Sequence, residues 1–207
     1  MSIYYIFLCF ILVIALIDLF LINNKNHSKI LFTLFFFTVL VFIGLRYQTG
    51  LDWLFYYNLY NGESYTLAIE PGYYLLSYIA SLAIGYWFYQ ALITAVLLLA
   101  LKKFFIRNTN NYLFCVALFI SYQFIFVTEA LRQIIALAIV LMAFVKYSEG
   151  KKKKFYILIA LSATFHVSAL IVFIIPLLSN KRNINILKIF TFVGILLAVV
   201  NIYAVDY

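Results

Sequence analysis

The chain has 207 residues, of which 67% are hydrophobic, 20% aromatic and only 11% charged, with a net charge of +8 and a mean hydropathy of +1.07. That balance excludes a soluble globular domain, which would expose large apolar patches. It makes the bilayer the natural solvent, and at about 20 apolar residues per crossing the length holds roughly seven spans with short connections. Residues 1–207 therefore read as a single integral membrane domain with no separate soluble part. The basic residues sit in short loops between apolar segments, which is a topology signal and not the basic face of a nucleic-acid reader, so no nucleic-acid partner is expected.

In chain order the apolar segments 3–22, 30–45, 73–101, 112–127, 131–147, 155–178 and 189–205 predict the helices of an all-α, polytopic transmembrane bundle. The first has no Lys or Arg before Lys25 and no small-residue cleavage pattern after it, so it reads as a retained span and not a signal peptide. Segment 73–101 is too long for a straight crossing and is expected to tilt, to bend near Gly85, or to begin as an interfacial helix. Cys9 and Cys115 lie inside apolar segments with no ligand residues nearby, so neither a disulfide nor a metal site is expected. No spacing in the chain implies a metal or a cofactor.

Loop charge sets the expected orientation. Lys25 and Lys29, then Lys102, Lys103 and Arg107, then Lys146 and Lys151 to Lys154 against Glu149, occupy alternate loops and predict the cytoplasmic side. The N-terminus and the loop 46–72 then fall outside. Lys181, Arg182 and Lys188 break the alternation near the C-terminus.

The loop 46–72 is a polar island carrying Arg46, Asp52, Glu63 and Glu70, and it is dense in tyrosine and tryptophan. Arg46 ends the second span and reads either as an interfacial anchor, with Asp52 as an ion-pair partner, or as one half of a diphosphate clamp. Glu70-Pro71-Gly72-Tyr73 reads as a helix start, with proline at the first position and a carboxylate at the positive end. Glu70 and Asp52 are also candidates to hold a sugar hydroxyl or to act as a base. Arg132 opens the fifth span, with Thr128 as the expected N-cap and Glu129 in the first turn. It is either a snorkelling anchor or an anion ligand beside free helix N–H groups. His166 is expected about halfway along span 155–178, where an ionisable group faces the bundle interior or a water-filled cavity. It is either a core histidine bonded to a backbone carbonyl, Ser162 or Ser168, or a general base. The tyrosines of 47–78 form either an aromatic belt or a surface for stacking sugars.

Gly44-Leu45-Arg46, Gly50-Leu51-Asp52 with Tyr56, Glu70-Pro71-Gly72-Tyr73, Arg132-Gln133-Ile134-Ile135-Ala136 and Phe165-His166-Val167-Ser168-Ala169 together resemble the EpsG family of bacterial exopolysaccharide membrane proteins, which look like Wzy-type polymerases. The resemblance covers about 40 to 180. It implies a GT-C-like bundle in the bacterial cytoplasmic membrane, with polymerisation of lipid-linked oligosaccharide repeat units at its outer face. The expected partners are an undecaprenyl-pyrophosphate-linked oligosaccharide, membrane lipids and other polysaccharide assembly proteins. His166, Asp52 and Glu70 are the candidate catalytic residues. Arg46, Arg132, Gln133, Tyr56 and Tyr73 are the candidate substrate ligands. Family members usually continue through further spans, so the chain is expected to be a short member or the N-terminal part of a longer polymerase. Two other classes fit the same composition: a non-catalytic transporter or scaffold of polysaccharide export, and a membrane acyltransferase that modifies the glycan.

Overall fold

The computed structural model describes residues 2–21, 25–63 and 69–178. The expected span 189–205 and the basic residues Lys181, Arg182 and Lys188 lie outside the described residues. Every described regular element is helical. In order these are α1 (Ser2–Leu21), α2 (Lys25–Val39) running into a π-turn (Leu40–Gly44), α3 (Trp53–Tyr60), α4 (Pro71–Ser81), α5 (Tyr86–Asn108), α6 (Tyr112–Tyr122), α7 (Phe124–Glu129), α8 (Leu131–Ser148), α9 (Lys152–Ala163), a 3-10 helix (Val167–Ile174) and α10 (Ile175–Leu178). The chain divides into compact units of residues 1–169 and 170–207, and everything described below belongs to the first.

Among the described residues, three stretches are long and apolar enough to cross a bilayer: Ile3–Phe20, Tyr86–Asn108 and Leu131–Ser148. Shorter apolar helices run over Ser28–Gly44 and Tyr112–Tyr122. Helix α5 is central, packing on α8, α6 and the π-turn, while α8 packs on α9 and α1 on α6 and α2. On α5, Ile93, Leu97 and Leu101 are buried, while Leu92, Val96 and Leu99 are exposed. Because a 3.6-residue period separates these two stripes, the second is the face turned to lipid.

The segments are more broken than the sequence predicts. The long stretch 73–101 is two helices, α4 and α5, separated at Leu82–Gly85, where a bend near Gly85 is one of the expectations. The break is stabilised by Tyr60, whose hydroxyl donates to the carbonyls of Ala80 and Ile84 at the end of α4. The Ala80 carbonyl also accepts from the N–H groups of Ala83 and Ile84, and the Ile84 carbonyl lies in the break itself, beyond the last turn of α4. The stretch 112–127 is interrupted at Gln123. Thr128 does not cap α8. It lies within α7 and donates to the carbonyls of Phe124 and Ile125, and Ala130 takes the cap position. Helix α9 ends at Ala163, so His166 sits in the turn that follows and not midway along a helix.

The π-turn has a specific cost and remedy. Its wider winding leaves carbonyls without their regular partners. Gln90 of α5, fully buried, donates through Nε2 to the carbonyl oxygens of Gly44 at 2.9 Å and Arg46 at 3.1 Å. The close approach uses Gly44, where a Cβ would stand 3.0 Å from the Cα of Ala91.

The basic loops gather at one end of the bundle. Lys102 sits 4.0 Å from the centre of the Phe32 ring. Glu149 in the α8–α9 turn accepts from Arg107 at 2.7 Å, Lys146 at 3.0 Å and Lys151 at 2.7 Å. Hydrogen bonds from Lys151 and Lys146 hold its pKa down to about 2. This carboxylate clips the ends of α5, α8 and α9 together.

Replacing Gln90 with leucine keeps the volume but strands the two carbonyls in a buried site. A loss of about 1–3 kcal/mol is expected, read as a lower midpoint of thermal unfolding in detergent. An unchanged midpoint would remove Gln90 from the support of the π-turn.

Candidate functional site

At the end opposite the basic loops, three elements meet on one carboxylate. Glu70 occupies the N-cap position of α4, with extended backbone (φ −62°, ψ 136°) and proline next at the first helical position. Its side chain does not cap its own helix. Instead Oε2 accepts from Arg132 Nη1 at 2.6 Å, and Oε1 is 2.9 Å from His166 Nδ1. The helix-start motif thus frees the carboxylate for two long-range partners. Arg132 Nε also points to the Tyr56 hydroxyl at 3.5 Å.

The backbone fixes this meeting. The N–H of Gly72 donates to the carbonyl of Thr164 at 2.8 Å, docking the first turn of α4 on the end of α9. A Cβ at Gly72 would crowd both Thr164 Oγ1 and its carbonyl oxygen, so glycine is required by the approach itself. The end of α9 is held in turn by Ser162, which donates to the carbonyl of Ala136 in α8 at 2.8 Å. The His166 backbone N–H donates to the Ser162 carbonyl at 3.0 Å, but its imidazole meets Glu70 and not the Ser162 hydroxyl, one of the partners expected from the sequence.

Burial pushes the Glu70 carboxyl up. Hydrogen bonds from its own backbone, Arg132 and His166 outweigh that and hold it below its ordinary value of 4.5. Ionised, it can only accept, so the His166 nitrogen facing it must carry a proton. In the neutral imidazole that leaves Nε2 with the lone pair. A carboxylate orienting a histidine in this way is the arrangement of a base and its positioning group. Glu70, Arg132 and His166 are 11%, 24% and 23% exposed at their side chains, so the cluster is open to a ligand on one side.

The other candidates are placed differently. Arg46 is 6% exposed, and its Nη1 donates to its neighbour Ile43's carbonyl at 2.8 Å. Burial lowers its pKa to about 10, with Tyr86, Tyr73 and Tyr56 opposing the shift. It stays charged at neutral pH, within an aromatic scaffold and not on an open face. Tyr73 is fully buried, with its ring edge-on to Tyr56 at 5.5 Å. Asp52 is exposed at the start of α3 and makes no ion pair with Arg46 among the described residues. Gln133 is half-buried beside Arg132. Glu63 is exposed. Among the described residues no cluster of His, Cys, Asp and Glu could hold a metal.

Sequence reasoning missed Gln90 and Thr164. Gln90 carried a signal, being a lone amide inside an apolar stretch, where polar groups are costly. Thr164 carried none, because it contributes its backbone.

An all-helical bundle with membrane-length apolar helices, and a histidine–carboxylate–arginine cluster gathered at one end, defines a polytopic membrane protein with a polar site. The chain matches the EpsG family over residues 29–206 and belongs to that family. Membership points to an exopolysaccharide-related polymerase role. Neither a curated protein nor a solved structure matches the chain.

Two outcomes are expected. Gly72→Ala should push α4 off Thr164 and cost about 1–3 kcal/mol, seen as a lower unfolding midpoint; a wild-type midpoint would contradict the close approach. The second concerns pH. A carboxylate with a depressed folded pKa contributes stability above its unfolded value, and that contribution is lost as pH falls through the folded value. The gap in unfolding midpoint between wild type and Glu70→Gln should therefore be full near neutrality and narrow below pH 4.5. A gap that widens on acidification would contradict an ionised Glu70.

Proposed function

We propose that this protein polymerises lipid-linked oligosaccharide repeat units at the outer face of the bacterial cytoplasmic membrane, in exopolysaccharide or capsule synthesis. The observation that carries the reading is the Glu70–His166 pair with Arg132 beside it. The donor is a glycan on undecaprenyl pyrophosphate and the acceptor is a sugar hydroxyl. The acceptor oxygen attacks the anomeric carbon, the bond from that carbon to the pyrophosphate oxygen breaks, and His166 Nε2 takes the hydroxyl proton. Glu70 holds the imidazole in the tautomer that can do so and stabilises the imidazolium that forms. Arg132, with guanidinium N–H groups beyond the one given to Glu70, stabilises the departing pyrophosphate together with the N-terminus of α8.

Arg46 supports the same charge from beneath Tyr56 and Tyr73, and Asp52 and Gln133 remain for sugar hydroxyls at the rim. A bundle of about seven spans in a GT-C-like arrangement, with its N-terminus outside, belongs to this reading.

In a producing cell, His166→Ala and Arg132→Ala should each lower polymer formation about 100-fold or more, with normal protein levels in the membrane. Glu70→Gln should lower it by a similar order. Polymer of unchanged amount and length would remove that residue from the mechanism. Polymer of normal length that lacks acyl groups would point instead to acyl transfer, and normal polymer retained in the cell would point to export.

A further inference from the structure

Helices α3 and α4 lead away from the Glu70 cluster to a second feature. A half-open cavity of about 390 Å³ lies where they end, lined by Leu59, Tyr60, Asn61, Gly62, Tyr74, Tyr78 and Ser81. That volume falls within the range of small-molecule sites. Its floor is fixed. The Tyr60 hydroxyl is tied to the carbonyls of Ala80 and Ile84, and its ring packs against Tyr86 at 5.3 Å and Tyr89 at 5.2 Å. Gly62 turns the chain at the rim with φ +76°, a conformation that favours glycine. Tyr74 and Tyr78 stand one turn apart on α4 and are 39% and 54% exposed.

The lining has a definite chemistry. It offers aromatic rings, the Tyr78 hydroxyl, the Asn61 amide and the Ser81 hydroxyl. Among the described residues that line it there is no lysine, arginine, aspartate or glutamate. A phosphate or an anionic headgroup would call for cationic donors there. Rings with hydroxyl and amide groups fit a neutral polyol, whose C–H faces stack while its hydroxyls are bonded. The concavity also sets these tyrosines apart from an aromatic belt, which needs only a convex rim at the headgroup level.

Placement connects the cavity to the ionic cluster. Tyr78 lies eight residues along α4 from Glu70, which is about 12 Å of helix rise. Tyr74 and Tyr78, four residues apart, share one exposed face of α4, and Glu70 precedes that helix as its extended N-cap. A short oligosaccharide spans that distance.

We infer that the cavity of Tyr60, Asn61, Tyr74 and Tyr78 is a carbohydrate subsite that holds a neutral sugar of the glycan a few units away from the reacting end. This rests on the polymerase reading for its place in the reaction, but not for its ligand chemistry. Its effect is to keep one glycan engaged between successive additions, and so to set polymer length.

The test uses the whole protein in lipid nanodiscs, titrated with the repeat-unit oligosaccharide released by mild acid from the producing strain's own polymer. Wild type should bind, Tyr78→Ala and Asn61→Ala should each bind at least about tenfold more weakly, and Tyr78→Phe should fall between. Glu70→Gln should bind within about twofold of wild type. In cells Tyr78→Ala should shorten the polymer while its total number of chains persists. Absent binding to wild type overturns the subsite. So does Tyr78→Ala binding like wild type, including the case in which that substitution only lowers the protein's level in the membrane, the mark of a belt anchor. If Tyr78-dependent binding persists but Glu70→Gln makes normal polymer, the subsite stands and the polymerase mechanism falls.

Discussion

An ionised carboxylate in a bundle of low dielectric must be partnered on both oxygens, and Glu70 meets that demand from two distant parts of the chain. Arg132 comes from the start of α8 and His166 from the turn after α9. Truncating Glu70 would leave the Arg132 guanidinium without its carboxylate in a part-buried site, which is the costly outcome. The three elements therefore hold one another: the carboxylate orients the histidine, and the backbone bond from Gly72 to Thr164 holds the carboxylate.

The same rule of satisfied polar groups shapes the surroundings. A π-turn is stabilised by an amide from α5, a helix end by a tyrosine hydroxyl, and the close of α9 by a serine reaching α8. The remaining space is filled by rings. Trp53 meets Tyr57, Tyr86 and Trp87 at 5.0 to 5.9 Å, and Tyr60 meets Tyr86 and Tyr89. Such pairs add specificity of geometry to burial. They give the polar end of the bundle a stiff bed, on which Arg46 lies enclosed.

Much of this was legible in the sequence, and the illegible part has one cause. Hydropathy predicted a helical membrane bundle, and proline after Glu70 marked the start of α4. Cost arguments picked out Arg132 and His166 as groups needing a reason to be there. Local patterns do not reveal closure between residues 62 and 96 positions apart. Hence Glu70 read either as a helix start or as a base or sugar ligand, and neither reading had its carboxylate joining Arg132 to His166. The break at Leu82–Gly85 was foreshadowed by the bend expected near Gly85, but its support by the Tyr60 hydroxyl was hidden for the same reason. Arg46 and Arg132 looked equivalent in sequence, and only packing separates the enclosed guanidinium from the accessible one.

The Glu149 clip at the opposite end bears on how finely the groups of the proposed reaction are aimed. It anchors α8 close to the end of an 18-residue helix, about 25 Å of rise from Arg132. Pivoted there, a tilt of about 2° carries the guanidinium roughly 1 Å, a misplacement that can cost on the order of a hundredfold in rate. Angular play in a surface ion cluster is thus converted into positional error at the far membrane face. On the proposed mechanism, the loop charges expected to set topology also set the tolerance of the chemistry.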